Sequence, residues 1–278
     1  MDLRYNVCII QPPGYVHSLA FLELAELITI SLSELGYDSR LQFNALEAAE
    51  TNILIGCHLL EGGFIPHIPP STIVLNTEQV ADDLSHWHKN IYECSKRFPM
   101  WDYSSRNIEK MKALGAPEAK LLKLGFQKEL ARIRKAPIAD IDVLFYGSVN
   151  ERRLQILNEL EARGLKVTSV FGVYGAERDA LIARSKVVLN LHMYKSEIFE
   201  VVRVFYLLTN GIPVVGEVGA NTFIEPRFAE GVAAALYENL AEECERLVND
   251  TTARESLAER ALQAIKHSPQ RVFTAAIL

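Results

Sequence analysis

Cysteine is scarce in this chain, with four residues among 278. Cys8, Cys57, Cys94 and Cys244 lie far apart, and none falls in a Cys-x-x-Cys or Cys/His ligand spacing. A zinc site therefore has little support, and free thiols inside apolar runs point to a reducing, cytoplasmic setting. Surplus positive charge is missing as well: 29 Lys and Arg face 35 Asp and Glu, a net charge of -6. No global field would hold a nucleic-acid backbone, so nucleic acid is not an expected partner. No apolar run of transmembrane length stands out, and Met1–Asn6 lacks the charged and apolar regions of a signal peptide. There is no Walker loop, no Gly-x-Gly-x-x-Gly fingerprint and no recognisable Ser-His-Asp or Cys-His set, which counts against ATPase, NAD-dehydrogenase and common nucleophilic-hydrolase readings. His86 and His88, two apart on a polar helical stretch, would not share a helix face and make a poor metal pair.

What is present is the composition of a globular protein, 49% hydrophobic and 23% charged, with enough apolar content for a sizeable core. The length allows one large domain or two ordinary ones. Short β-branched runs such as Asn6–Gln11, Asn52–Cys57 and Thr72–Asn76 read as buried strands, with helical patterns between them. After residues 128–141, a charged, proline-broken stretch, the pattern restarts at Ile141. The expected architecture is α/β: two doubly wound Rossmann-like domains facing a cleft. Their expected limits are residues 1–136 and 137–266, with 267–278 a tail packing back across the molecule. Glu225–Gly231 reads as a polar loop and Leu240–Lys266 as one long amphipathic helical region.

Lys186 to Glu217 is the most informative stretch. A buried strand, Val187–Leu191, runs into the polar turn His192–Ser196, a helix follows, and Gly211 precedes a second strand at Pro213. Ligands in open parallel sheets sit at strand carboxyl ends, which selects Asn190, His192 and Tyr194. Glu200 and Arg203 are either a solvated ion pair or a ligand-facing one. As a ligand group, the Glu200 carboxylate suits two vicinal ribose hydroxyls, and Arg203 would orient it or reach phosphates. The turn Gly147-Ser148 would aim backbone N–H groups at a phosphate. Arg152 and Arg153 in the first helical turn oppose the helix dipole, so they read as phosphate ligands or as an exposed pair on a solvated face. Tyr174, in the loop Phe171–Gly175, packs on a nucleobase or belongs to an ordinary connecting loop. In the first half, Gly14, His58 and Asp102 mark strand ends on the acceptor side. His17 is the first candidate general base and Glu78 the second. A lone loop histidine is more often merely structural or solvated.

DVLFYGSVNERR (Asp142–Arg153), FEVVRVFYLLTNGIP (Phe199–Pro213), Glu225–Tyr237, AERALQAIKHSPQR (Ala258–Arg271) and WDYSSRN (Trp101–Asn107) together resemble GT-B-fold glycosyltransferases. The likeness is greatest to the spore-maturation-protein-like, family 1/4-like group. The resemblance implies transfer of a sugar from a nucleoside-diphosphate sugar, UDP-linked, to an acceptor hydroxyl on a glycan, small molecule or protein. It assigns Glu200 to the ribose, Arg152 or Arg153 to the diphosphate, and Gly147-Ser148 to the phosphates. It implies transfer with no cofactor, and the absence of an Asp-x-Asp triplet, expected here, is consistent with metal-independent transfer. Many retaining members carry two glutamates eight apart; here Ile198 and Tyr206 fill those positions. A non-catalytic nucleotide- or sugar-binding module and a nucleotide-sugar epimerase are the alternatives.

Overall fold

The computed structural model describes residues 3–80, 86–113, 115, 119–194 and 197–278. The chain divides into two compact units, one of residues Met1–Leu124 with Gln270–Leu278, the other of Gly125–Pro269. Each is built on one parallel sheet.

In the first unit the strands are β1 (Arg4–Ile9), β2 (Asp38–Phe43), β3 (Thr51–Ile55), β4 (Thr72–Asn76), β5 (Met100–Asp102) and β6 (Ala119–Leu121). Their order is β2-β1-β3-β4-β5-β6, every neighbouring pair parallel. The helices α1 (Leu22–Glu34), α2 (His86–Arg97) and α3 (Ser105–Ala113) return the chain between strands. Val7, Cys8 and Ile9 are all inaccessible, as are Ile53, Leu54 and Ile55. Consecutive strand residues point to opposite faces, so both faces of this sheet are covered, which explains the unbroken apolar runs in the sequence. Each fully buried Val, Leu or Ile is worth about 1.5–3 kcal/mol of transfer free energy.

The second unit holds β7 (Ile141–Tyr146), β8 (Val167–Val170), β9 (Ser185–Asn190), β10 (Val214–Glu217) and β11 (Val232–Ala235). Their order is β11-β10-β9-β7-β8, again all parallel. Its helices are α4 (Glu151–Ala162), α5 (Gly175–Arg184), α6 (Val201–Thr209), α7 (Pro226–Ala229), α8 (Leu240–Asn249) and α9 (Thr251–Lys266). The segment expected as a polar loop contains α7, with Pro226 in its first turn, where a missing N–H costs nothing. The long helical region is broken at Asp250, whose carboxylate accepts from Ala253 N–H at 2.9 Å and starts α9 afresh.

Two further expectations are revised, and the tail takes a definite form. The boundary falls near residue 125 rather than 137. Leu130 is fully buried in the second unit, its carbonyl accepts from Asn210 Nδ2 at 3.0 Å, and Ile133 N–H donates to Asn210 Oδ1 at 2.8 Å. Residues 125–136 thus form a strap bound to that unit. The tail forms a helix, α10 (Gln270–Ile277), that packs on α1, where the Ser31 and Thr274 hydroxyls lie 2.8 Å apart. Finally, the 3-10 turn Val16–Phe21 continues straight into α1, giving a 19-residue stretch, Val16–Glu34, long and apolar enough to cross a membrane. No such length was legible because two shorter segments join end to end. Half of the stretch is buried, with Leu24, Ala25, Leu27, Ile28 and Leu32 packed inside the unit as in a core helix.

Candidate functional site

In the second sheet the strand order reverses between β7 and β9, and doubly wound sheets bind ligands beyond the strand carboxyl ends at such a point. Asn190, the last residue of β9, is fully buried there, and a buried carboxamide needs partners. Its Nδ2 donates to Glu200 Oε2 at 2.8 Å, and its Oδ1 accepts from Arg203 Nη1 at 3.0 Å. Glu200 is the N-cap of α6 and Arg203 lies in its first turn, so Asn190 bridges the two. His192, also buried, sets Nδ1 3.3 Å from Glu200 Oε1 and Nε2 3.2 Å from Thr222 Oγ1.

Electrostatics ties these groups together. Burial opposes ionisation of Glu200, yet the His192 contact and the nearby Arg203 charge hold its carboxyl below the ordinary range. Burial likewise disfavours the His192 imidazolium, but Glu200 outweighs it and raises the imidazole above its ordinary 6.5. For the Arg153 guanidinium, burial first and then the adjacent Arg203 charge bring the value down to about 10.

The arginines do not stand free at the head of α4. Arg152 folds onto Glu217 at the end of β10, Nη1 donating to Oε2 at 2.7 Å while Nη2 meets Oε1, and it stacks 3.9 Å from the Tyr237 ring centre. Arg153 is buried and donates to the carbonyls of Ser148 (2.8 Å) and Leu191. Burying apolar ring and stem around each guanidinium fixes it before any ligand arrives. The exposed-pair reading of Arg152 and Arg153 is thereby set aside. Gly147 is the gap beside these cations. Its φ is +141°, and a Cβ there would lie 3.1 Å from Arg203 Nη2 and 3.8 Å from Arg153 Nη1. The Gly147 N–H, expected on a phosphate, instead donates to Val170 O at 2.9 Å, because the β7–β8 pairing runs one residue past the strand. Arg152, Arg153 and Arg203 stand against Glu200, Glu217 and, acting on Arg152 from nearby, Glu197, so the three guanidinium charges are matched by carboxylates before His192 is counted.

The first unit has its own reversal point, between β1 and β3. His58, following β3, lies with Nε2 3.5 Å from Glu78 Oε1, after β4, and its ring meets Phe21 edge-on at 5.9 Å. Burial lowers the His58 imidazole to about 4, so it is neutral near pH 7. His17 packs edge-on against Tyr15 at 5.1 Å, in the loop opened by Gly14 at φ +74°.

Residues 127–276, just over half of the chain, match the sequence model of the family described as Glycosyl transferase-like. The chain belongs to that family. Among curated proteins, this glycosyl transferase-like chain is 27% identical over 183 residues to uncharacterized protein L137 of Acanthamoeba polyphaga mimivirus. The match covers 63% of the chain and 24% of that protein. It is 30% identical over 128 residues to L140 of the same virus, covering 43% of the chain and 40% of the relative. The chain thus spans less than half the length of these curated relatives. Solved structures resemble it along its whole length. Anabaena HepE in complex with UDP and glucose has a TM-score of 0.65 at 12% identity, covering 99% of this chain and 98% of that one. Sucrose-phosphate synthase of Thermosynechococcus elongatus has a TM-score of 0.62 at 11% identity, covering 99% and 97%. WaaG, a glycosyltransferase of lipopolysaccharide biosynthesis, has a TM-score of 0.60 at 11% identity, covering 98% of each chain. At such identities the likeness is one of fold, and it is the two-sheet GT-B fold expected from the sequence. Family membership favours neither alternative, the non-catalytic module or the epimerase.

For the glycosyl transferase-like chain, the fold brings Gly147, Ser148, Arg152, Arg153, Asn190, His192, Glu200 and Arg203 to one sheet edge. Tyr174 lies apart, as the residue before α5 beyond edge strand β8, and Tyr194 is 57% exposed. Asp102 is not an open acceptor group. It is fully buried, accepting from Asn76 Nδ2 (2.7 Å), Ser104 N–H (2.7 Å) and Asn107 Nδ2, and burial pushes its carboxyl up to about 7. Its role is to brace the loop of Glu78, whose carbonyl takes Asn76 Nδ2 and Asn107 Nδ2. The sequence does contain one Asp-x-Asp triplet, Asp140-Ile141-Asp142, contrary to expectation. It opens β7 at the opposite strand end, where Asp140 pairs with Arg184 and Asp142 with Lys186. Sequence reasoning missed Glu217, Thr222 and Tyr237. The one available signal was a carboxylate closing an otherwise apolar strand, Val214–Glu217. The side chains of His86 and His88 lie outside the described residues.

Proposed function

We propose that this protein transfers a sugar from a nucleoside-diphosphate sugar, most simply a UDP-sugar, to an acceptor hydroxyl. The observation that carries the reading is Gly147, a residue without a side chain facing the guanidinium groups of Arg203 and Arg153 at the end of β7. A diphosphate fits such a gap, because its oxygens match the guanidinium forks of Arg203 and Arg153. Glu200, held by Asn190 and His192, faces the same sheet edge and supplies acceptor oxygens for ribose hydroxyls. In this reading Arg152 positions Glu217 and the His192 backbone, whose N–H donates to Glu217 Oε2 at 3.1 Å, rather than touching phosphate.

Departure of the nucleoside diphosphate leaves charge on its terminal oxygens, and prearranged arginines stabilise that charge without an obligatory metal. Glu78 is the favoured base for the acceptor hydroxyl, with His17 the second. Its contact with neutral His58 holds one carboxylate oxygen and orients the other. That UDP and UDP-glucose are bound by fold relatives, HepE and a T4 phage glucosyltransferase, supports the choice of base and diphosphate. The four free, buried cysteines support placement in a reducing cytoplasm. The closing Ala258–Arg271 segment supports the spore-maturation-protein-like subgroup.

A thermal-shift panel of nucleoside diphosphates and their sugars tests the reading, since a ligand of the native state raises its melting temperature. Stabilisation by one nucleoside diphosphate above its monophosphate is expected. Indifference to the whole panel would remove the proposal, and product analysis with a labelled sugar would then separate transfer from hydrolysis in any responding pair.

A further inference from the structure

An alternating stack of arginines and tyrosines runs through the second unit. Arg132, on the strap, lies 5.6 Å from the Tyr206 ring centre, and Arg178 lies 4.9 Å from the same ring. Arg178 is also 5.9 Å from the Tyr146 ring, and Arg203 is 5.0 Å from Tyr146. At the strap end the Asp179 carboxylate accepts from Tyr206 Oη at 2.7 Å and from Arg178 Nη2 at 2.6 Å. Arg132 Nε in turn donates to Tyr206 Oη at 3.1 Å. Among the described residues, the other end has no such partner in direct contact. Arg203 is held by a neutral carboxamide, Asn190, and by the face of Tyr146.

This arrangement matters for charge. An arginine fixed by a carboxylate has its field largely cancelled, whereas one fixed by a ring face and an amide keeps its field for a ligand. We propose that Tyr146 is a positioning residue for the diphosphate contact of Arg203, and that the stack behind it couples the strap residue Arg132 to that contact. The inference rests on the diphosphate reading above and adds to it a cause for the placement of Arg203. It also assigns a use to Tyr206, which the GT-B comparison left as a departure: its hydroxyl links Asp179 to Arg132 rather than meeting ligand.

The test is a calorimetric comparison of UDP and uridine. Only UDP carries the phosphates that Arg203 would touch. Tyr146→Leu is expected to weaken UDP about tenfold, the worth of a desolvated cation–π contact, and to leave uridine affinity unchanged. Tyr146→Phe keeps the ring face and is expected to bind UDP within about twofold of the parent. Arg132→Met, at the more exposed end of the stack, is expected to cost about twofold to fivefold for UDP alone, and this variant serves if Tyr146→Leu does not fold. Equal losses for UDP and uridine, or none for either variant, would overturn the positioning role while leaving the diphosphate reading intact. Failure of the unaltered protein to bind any nucleoside diphosphate would instead strike the functional reading itself.

Discussion

Asn190 joins Glu200 to Arg203 without letting them pair: its amide nitrogen donates to the carboxylate at 2.8 Å while its carbonyl oxygen accepts from the guanidinium at 3.0 Å. A direct ion pair would have neutralised both groups. With a neutral linker between them, Glu200 pairs with His192 instead, and Arg203 keeps its charge at the end of β9 for an anionic, hydroxyl-bearing ligand.

The Glu200–His192 contact makes stability depend on pH in a defined window. Glu200 titrates below its ordinary 4.5 in the folded chain, so its contribution is present above that value and lost as pH falls through the lowered one. His192 titrates above 6.5, so its contribution is present below 6.5 and lost as pH rises through the raised one. Melting temperatures of the parent should therefore decline on the alkaline side as His192 loses its proton. Glu200→Gln should flatten that alkaline decline, as read by calorimetry between about pH 6 and 9. An undiminished slope in the variant would separate the two residues.

Arg152 and Glu217 should matter more to folding than to ligand affinity. Glu217 is buried, and Arg152→Ala leaves its carboxylate without its bidentate partner. The expected cost is about 1.5–3 kcal/mol in chemical denaturation, the range for hydrogen bonds to a charged group. Arg152→Met with Glu217→Leu should recover much of it, because replacing both members removes the stranded charge. A double variant no better than the single one would show that the pair does more than satisfy itself.

Asp102 offers a second pH signature with the opposite origin. Its folded value of about 7 stands above the ordinary 3.8, so the folded chain holds a proton that the unfolded chain releases. Its contribution is full below 3.8 and is lost as pH rises through 7. Asp102→Asn should remove this dependence, so that its stability relative to the parent improves from pH 5 to pH 8, whatever the offset. A constant difference across that range would mean that Asp102 is ionised in the fold.

Glu78→Gln should lower turnover about 10²–10⁴-fold with donor affinity unchanged, the usual worth of a general base. His17→Asn should do so only if the assignment of the base is reversed. Full turnover in Glu78→Gln would remove it as base.

Much of the fold could be read from residue patterns for a physical reason. Strands covered on both faces must be apolar throughout, so Val7–Ile9 and Val187–Leu189 announce themselves. The break at Asp250 was missed although no large apolar side chain lies between Val248 and Leu257; the capping carboxylate of Asp250 marks where α9 starts afresh. Asn190, His192 and Glu200 were legible in the site because they cluster at one strand end. The fate of Arg152 was not: its partner Glu217 lies 65 residues further on, and only the pairing of β10 with β9 brings them together. Asp102 misled for a related cause. A carboxylate at a strand end looks available until Asn76 and Asn107, from β4 and α3, are seen to enclose it.

The most direct test is titration of UDP into the parent protein and into Arg203→Ala, followed calorimetrically at one ionic strength. A diphosphate docked over Gly147 requires saturable binding by the parent and a loss of about tenfold or more in the variant, the worth of a charge-assisted contact, with Glu78→Gln binding as the parent does. Equal affinity of parent and Arg203→Ala would contradict it.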